Sequence, residues 1–486
     1  MMPKYHTLSQ LQTHLQQQST SVVDTVEYYL QQIEATRELN IYVQVFADEA
    51  RQQATALDQK YKADPNSVGR LFGAIISIKD VLCYANHTVT AASKILEGFQ
   101  SVYTATCIQR LLDEDAIIIG VTNCDQFAMG STNENSVYGP TRNAVDPNRV
   151  PGGSSGGAAV AVQADTCLIA IGTSTGGSVR QPAALCGVIG MKPTYGRISR
   201  YGLLAYGSSF DQAGVMSNSI EDAALTIEIM AGADEFDSTA SQRSVPPLED
   251  IVNRRAVASA TRKKIAVFDT VMAGEGLDEA TKDTLHRTIA QLKAAGHSVE
   301  GVNFEYLDYI VPAYYVLTTA EASSNLSRYD GIRFGYRSRE ASNLQETYRR
   351  SRTEGFSEEV KRRIMLGTFV LSAGYYDAYY TKAQKVRRLI ADKTREILQT
   401  YDFILLPVSP TVAWNIGQLH DDPVQMYLAD IFTVQANMVG IPAIALPLGT
   451  SDAGLPVGLQ LMGNKFEEAE LLSFSKEVLE LEKAGQ

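Results

Sequence analysis

The chain has 486 residues, 45% hydrophobic and 20% charged, the balance of a globular protein able to bury a large core. Its net charge of −12 and pI of about 5.1 argue against a chain that holds nucleic acid by itself. No apolar run reaches the roughly 18 residues that span a membrane, and the start MMPKYHTLSQ lacks a secretory h-region. The five cysteines show no C-x-x-C spacing, so reduced thiols in a cytoplasmic protein are expected.

The first segment reads as helices. Thr20 or Ser21 can cap a helix in which Val22, Val26, Tyr29 and Ile33 recur at helical steps. A second helix runs from Ala47 to about Ala63 and stops at Asp64-Pro65-Asn66. These helices carry no chemistry and are expected to lie against the outside of the core or a partner. A strand Gly73–Lys79, a helix Thr104–Asp115 and a strand Ala116–Thr122 follow, the alternation of a sheet with covering helices. Asn123–Asn135, NCDQFAMGSTNEN, is then a polar loop of amides and hydroxyls.

Pro151–Pro182, PGGSSGGAAVAVQADTCLIAIGTSTGGSVRQP, is the centre of the chain. Two glycine-serine loops bracket a helix of small residues (Ala158–Ala164) and a buried strand (Cys167–Gly172), and each sets a serine, Ser154 or Ser178, after two glycines. Glycine lets backbone N–H groups approach a ligand, and rows of such groups form anion-binding nests of the kind that hold an oxyanion. The plainer reading has both serines capping the helices that follow. Gly152-x-Ser154-x-Gly156 also fits a nucleophile elbow, but that needs a histidine late in the chain, and His6, His14, His87, His286, His297 and His420 lack a motif-like setting. A lysine can replace the histidine. Lys79 ends an apolar run, where desolvation would lower its pKa enough to make it a base. The alternative is a snorkelling lysine paired with Asp80.

Beyond this centre, Val188–Lys192 continues the sheet, and Ser219 with Asp222 forms a variant capping box for a helix Ile220–Met230. Thr239–Arg262, rich in Pro, Ser and charge, reads as a flexible connection. Lys264–Phe268 is a strand, and Asp278–Ala295 a helix closed by Gly296. Residues from Tyr306 to Leu398 are helical, tyrosine-rich and basic. Interleaved glutamates make a solvated helix face the better reading than a nucleic-acid stripe. Strand Asp402–Val408, helix Pro423–Met438, strands Ala443–Leu448 and Val457–Leu461, and helix Phe466–Glu482 complete the pattern.

Taken together, I-K-D at Lys79, P-G-G-S-S-G-G at Ser154 and T-G-G-S-V-R-Q-P-A at Ser178 resemble the amidase signature family, the two serines standing 24 residues apart as they do there. The resemblance covers nearly the whole chain. It implies an α/β fold, a large mixed sheet covered by helices on both faces, as one domain over 1–486. Within it, 1–66 are N-terminal helices, 67–235 the triad-bearing core and 306–398 a helical substrate or partner region. It also implies a Ser-cisSer-Lys triad. Ser178 is the nucleophile, Ser154, after a cis peptide, is the relay, and Lys79 is the base, with an oxyanion hole at Thr175, Gly176 and Gly177. Met129, Gly130 and Ser131 are placed against substrate, and the S-x-D-Q segment at Ser209-Phe210-Asp211-Gln212 forms another wall. Two residues depart from the family form: Gln126 stands for a glutamate, and Ser174, expected to support the loop, for an aspartate.

EASSNLSRYDGIRFGYR (321–337) and RRIMLGTFVLSAGYYDAYY (362–380) resemble one branch, the glutaminase subunits of tRNA-dependent amidotransferases. That branch implies glutamine as substrate, with Arg363 on its α-carboxylate, Asp430 on its α-amine and Tyr314 nearby; read alone, these are ordinary charges. It implies no cofactor in this chain and a heterotrimer with two partners, the amidotransferase subunits B and C. Ammonia would pass to the first of them, which uses ATP and Mg to convert glutamyl-tRNA(Gln) to glutaminyl-tRNA(Gln). The second would hold the pair together, and some relatives also act on aspartyl-tRNA(Asn). A free-standing amidase and a non-catalytic scaffold are the other readings.

Overall fold

A computed structural model describes residues 4–255, 262–418 and 428–485. The strands are β1 (Tyr42–Val45), β2 (Ile75–Lys79), β3 (Ile117–Thr122), β4 (Ile169–Ser174), β5 (Ile189–Lys192), β6 (Gln212–Ser217), β7 (Lys264–Phe268), β8 (Ser298–Val302), β9 (Phe403–Pro407), β10 (Ala443–Thr450) and β11 (Pro456–Met462). They form one 11-stranded sheet in the order β1-β3-β2-β4-β6-β5-β10-β11-β9-β7-β8. Two parallel groups, β3-β2-β4 and β9-β7-β8, lie towards its ends, and antiparallel pairs join them across the middle. Every residue of β2 to β6 is buried, so side chains on both faces of the sheet are covered. That explains sequences such as IISIK and IIIGVT, which run apolar without alternation.

The N-terminal helices lie on this core. Ser21 caps helix Val22–Ala35 in a capping box with Asp24, and Val22, Val26 and Tyr29 are buried. An additional helix, Leu8–Gln16, buries Leu8, Leu11 and Leu15. Its Leu8 N–H donates to the Asp222 carboxylate at 3.1 and 3.2 Å. The expected capping box at Ile220–Met230 is therefore only half formed. Ser219 Oγ accepts the Asp222 N–H at 3.0 Å, while the Asp222 side chain turns away to the other helix.

Three other expectations change. The connection Thr239–Arg262 contains a helix, Leu248–Arg255, because Leu248 and Val252 recur at helical spacing and are buried. Residues 256–261 lie outside the described residues. The helix expected over Pro423–Met438 falls partly on undescribed residues; among the described ones the chain turns from 429 to 433 and is helical again over Val434–Val439. The N–H groups of Thr433 and Val434 both close on the Asp430 carbonyl, which makes a turn there. β1, β6 and β8 are strands beyond those expected. The basic helices of 306–398 do have a solvated face: Arg350 pairs with Glu340 and Glu346, and Arg362 with Glu359.

Candidate active site

β2 delivers Lys79 to its last position, and β4 ends at Ser174, directly before the loop that carries Ser178. Between them, helix Gly156–Gln163 has only small or apolar residues apart from Gln163 because its backbone lies against the core. Gly157 N–H donates to the Asn123 carbonyl at 3.2 Å, and a Cβ at Gly157 would collide with that backbone. This close approach holds the Ser154 loop at the end of β3, the strand paired with β2.

Lys79 is fully buried. Its Nζ donates to Ser154 Oγ at 2.6 Å and to Ser155 Oγ at 2.9 Å, and the Gly153–Ser154 peptide is cis. Asp80 is not its partner, for that carboxylate accepts from Thr90 N–H, Thr90 Oγ1 and Ala92 N–H. Burial brings the Lys79 ammonium down to about 8 against the opposing pull of Cys124, Asp125 and Asp211. Ser155 is a partner that no motif in the sequence singles out; its hydroxyl passes the contact on to the Thr173 carbonyl at 3.1 Å.

Neither serine caps a helix: Ser155 and Val179 occupy the N-cap positions, without side-chain caps. Ser155 N–H donates to the Ser178 carbonyl at 3.2 Å, which joins the two loops. Ser178 is 7% exposed, and among the described residues no hydrogen bond links its hydroxyl to Ser154. No described histidine approaches Ser154: His87 lies on Glu49, His297 on Glu477 and His286 on the Met272 carbonyl. His420 lies outside the described residues.

The carbonyl side of the nucleophile loop is held firmly. Arg180, fully buried, donates to the carbonyls of Gly176 (2.7 Å) and Thr433 (2.8 Å), to Asn437 Oδ1 and to Gln460 Oε1. Ser174 Oγ donates to the same Gly176 carbonyl at 3.0 Å, so the residue standing where the family has aspartate does support the loop. Thr175 Oγ1 donates to Asp211 at 2.6 Å, which places the Ser-Phe-Asp-Gln segment at the site. The N–H groups of Gly176, Gly177 and Ser178, by contrast, have no acceptor among the described residues. They are available to an anion.

Asp430 and Tyr314 close over these glycines: a Cβ at Gly177 would crowd Asp430 Oδ1, and one at Gly176 would crowd the Tyr314 hydroxyl. Ser131 Oγ donates to Asp430 Oδ2 at 2.6 Å, while Asp430 Oδ1 is buried without a partner among the described residues. Burial raises the Asp430 carboxyl to about 6, opposed by the Ser131 hydrogen bond, Arg363 and Arg180. Arg363 is 3% exposed, paired with Glu359 at 2.8 Å, hydrogen-bonded to Tyr206 at 2.9 Å and set over the Tyr206 and Tyr315 rings. Gly130 lies over the Asp125 carboxylate. Met129 points into a buried apolar cluster with Phe127, Tyr206 and Phe356. Gln126 Oε1 accepts the Ser357 N–H at 2.7 Å, a neutral contact to the cap of helix Glu358–Leu371, which bears Arg363.

Among the described residues no group of three His, Cys, Asp or Glu could hold a metal ion, and no helix is long and apolar enough to cross a membrane. The sequence profile of the Amidase family matches residues 24–472. The glutamyl-tRNA(Gln) amidotransferase A subunit of Chlorobium phaeobacteroides (strain BS1) is 50% identical over 93% of each chain. The protein of the same name from Prosthecochloris aestuarii is 51% identical over 93% of this chain and 94% of its own. Among solved structures, the glutamyl-tRNA(Gln) amidotransferase A subunit of Thermotoga maritima is 41% identical with a TM-score of 0.70, covering 84% of this chain and 83% of that one. The peptide amidase of Stenotrophomonas maltophilia is 26% identical with a TM-score of 0.82, covering 98% and 96%. By its sequence and its fold, the chain belongs to the amidase family.

Proposed function

We propose that this chain is the glutaminase subunit of a tRNA-dependent amidotransferase. In this reading it hydrolyses glutamine and passes ammonia to partner subunits B and C, which amidate glutamyl-tRNA(Gln) with ATP and Mg. The observation that carries the chemistry is the buried Lys79 hydrogen-bonded to Ser154 beside the nucleophile loop. Ser178 Oγ attacks the carboxamide carbon, and its proton moves through Ser154 to neutral Lys79. The N–H groups from Thr175 to Ser178, none with an acceptor among the described residues, receive the oxyanion. The proton returns to the leaving nitrogen as the C–N bond breaks, releasing ammonia and leaving a glutamyl ester on Ser178. Water adds by the reverse relay and releases glutamate.

Glutamine also presents an α-carboxylate and an α-ammonium. Asp430 Oδ1, without a partner among the described residues, stands at the nucleophile loop, and Arg363 is the opposite charge that acts on Asp430, a match for those two ends. Relatives near 50% identity that are named as the A subunit of glutamyl-tRNA(Gln) amidotransferase support the same reading. The test is glutamate release by wild type and Ser178→Ala, each alone and with subunits B and C, ATP and glutamyl-tRNA. Activity that rises with the partners and disappears in Ser178→Ala is the expected result. Partner-independent turnover of simple amides, with little on glutamine, would instead mark a free-standing amidase, which the likeness to peptide amidase favours.

A further inference from the structure

Asp125 lies just after β3, fully buried, at the start of the loop that faces the nucleophile. Its backbone N–H donates to the Ser154 carbonyl at 3.1 Å. Its carboxylate accepts two backbone N–H groups from the far end of the same loop, Asn133 on Oδ2 at 2.9 Å and Asn135 on Oδ1 at 3.1 Å. Phe127 and Ala128 take left-handed φ values of 51° and 59°, which turn the loop back onto that carboxylate. The seat is tight, since a Cβ at Gly130 or at Gly153 would collide with the carboxylate. Asp125 is thus fastened to the cis-peptide loop by its main chain and to the Ser131 loop by its side chain.

A loop closure alone calls for acceptor oxygens, which a neutral amide or hydroxyl also has. A buried carboxylate with no ion pair among the described residues costs several kcal/mol unless a charge compensates it. Burial raises the Asp125 carboxyl to about 6, opposed by the Asn133 and Asn135 N–H groups and then by Lys79, which is held on the same residue: Asp125 N–H on the Ser154 carbonyl, Lys79 Nζ on the Ser154 hydroxyl. Cys124 and Asp211 also face Lys79, and Glu134 also faces Asp125.

We propose that Asp125 is a positioning residue of the reaction: it clamps the Ser131 loop to the Ser154 loop and supplies the fixed negative charge against which Lys79 exchanges its proton. This rests on Lys79 being the base, as proposed above. Deleting the charge makes Lys79 easier to deprotonate, so Asp125→Asn moves the pH dependence of Ser178 reactivity to lower pH. At the same time the loosened clamp lowers its maximum.

The full-length chain is treated with a fluorophosphonate, a probe that needs neither glutamine nor a partner. Ser178 Oγ forms a P–O bond, fluoride leaves, and the hydroxyl proton goes to Lys79. The rate of adduct formation on Ser178 is followed by mass spectrometry against pH. In folded Asp125→Asn the rising limb is expected about one pH unit lower than in wild type, the lower end of a neighbouring charge effect, with a smaller plateau. In Asp125→Glu, which keeps the charge, the limb stays while the plateau falls. An unmoved limb in folded Asp125→Asn overturns the proposal. Wild type that forms no Ser178 adduct removes the Ser-Lys reading itself, a distinct result, and this proposal with it. If Asp125→Asn does not fold, wild type labelled with ¹³C-aspartate decides: the Asp125 carboxyl signal must shift again as Lys79 titrates, and a flat signal there overturns the proposal.

Discussion

Asp430 stands directly on Gly177: a Cβ there would come within 2.9 Å of Asp430 Oδ1 and 2.5 Å of Thr433 Oγ1. The acid proposed to hold the substrate amine therefore fills the space a side chain on the proposed oxyanion backbone would need. A side chain at position 177 cannot be added without moving one of them. Gly177→Ala is expected to fold with a lowered Tm, because the added Cβ meets both Asp430 Oδ1 and Thr433 Oγ1 and these side chains must shift to admit it. It should lower kcat/KM for glutamine about 100-fold, the usual consequence of a displacement near 1 Å at a reacting centre. Steady-state kinetics with a thermal melt as control checks this; activity within about twofold of wild type would mean that Asp430 and the loop are not coupled.

The position of Lys79 sets a pH dependence. Burial holds its ammonium at about 8, and the base must be neutral to accept the proton from Ser154. kcat/KM for glutamine is therefore expected to rise with pH through about 8 and to level off above it. Lys79→Met should lose the limb and at least about 1,000-fold in rate while remaining folded, since the methionine fills the same apolar stem position. A rate–pH profile in the assembled complex, taken below substrate saturation, gives the measurement. A limb near pH 6 in wild type would point to a carboxyl group instead.

How far the sequence discloses all this depends on whether a signal is local. Gly73–Lys79 is readable because a β-branched run ends at a charged residue, and β2 does end at Lys79. β8, SVEGV, carries Glu300 and Gly301 and is partly exposed, so its pattern gives no strand signal. β6, QAGVMS, has few apolar residues, and its pairing with β4 and β5 between covering helices is set by the fold rather than by its own pattern. In the site, the two glycine-serine loops are visible as motifs, whereas Asp430 lies on a turn that only the fold brings to Gly177, and Arg363 on a helix that the fold brings within electrostatic reach of Asp430. Asp125 looks like any polar loop residue. Its two N–H donors belong to the loop itself, an arrangement that composition cannot reveal.

Arg180 predicts an effect at a distance from the reacting atoms. Its guanidinium spans the Gly176 and Thr433 carbonyls, Asn437 and Gln460, and so ties the oxyanion loop to the Asp430 turn. A lysine carries the charge but lacks the planar fork needed to reach these acceptors together. Arg180→Lys is expected to leave KM for glutamine within a few-fold and to reduce kcat roughly 100-fold. Arg180→Ala leaves buried carbonyls unpaired and should lower stability by about 3 kcal/mol or more, seen as a lower Tm. Near-wild-type activity in Arg180→Lys, with the loss confined to Arg180→Ala, would show that the charge rather than the fork matters.

Gln126 predicts the opposite kinetic signature. Its side-chain oxygen accepts the N–H of Ser357, the cap of the helix that bears Arg363, so it acts on the end of the site proposed to hold the substrate carboxylate. The contact uses an acceptor and no charge. Gln126→Glu should therefore keep KM near wild type, because a carboxylate oxygen accepts the same N–H, while the charge it adds at a buried position lowers Tm. Gln126→Ala leaves that N–H without its partner, at a cost of about 1–3 kcal/mol, and frees the start of the helix. The expected result is a roughly tenfold higher KM for glutamine at nearly constant kcat, the mark of lost ground-state binding. A fluorophosphonate, which has no carboxylate for Arg363, should label Ser178 at the wild-type rate in Gln126→Ala. A fall in kcat with unchanged KM would place Gln126 with the Lys79 machinery instead of the Arg363 helix.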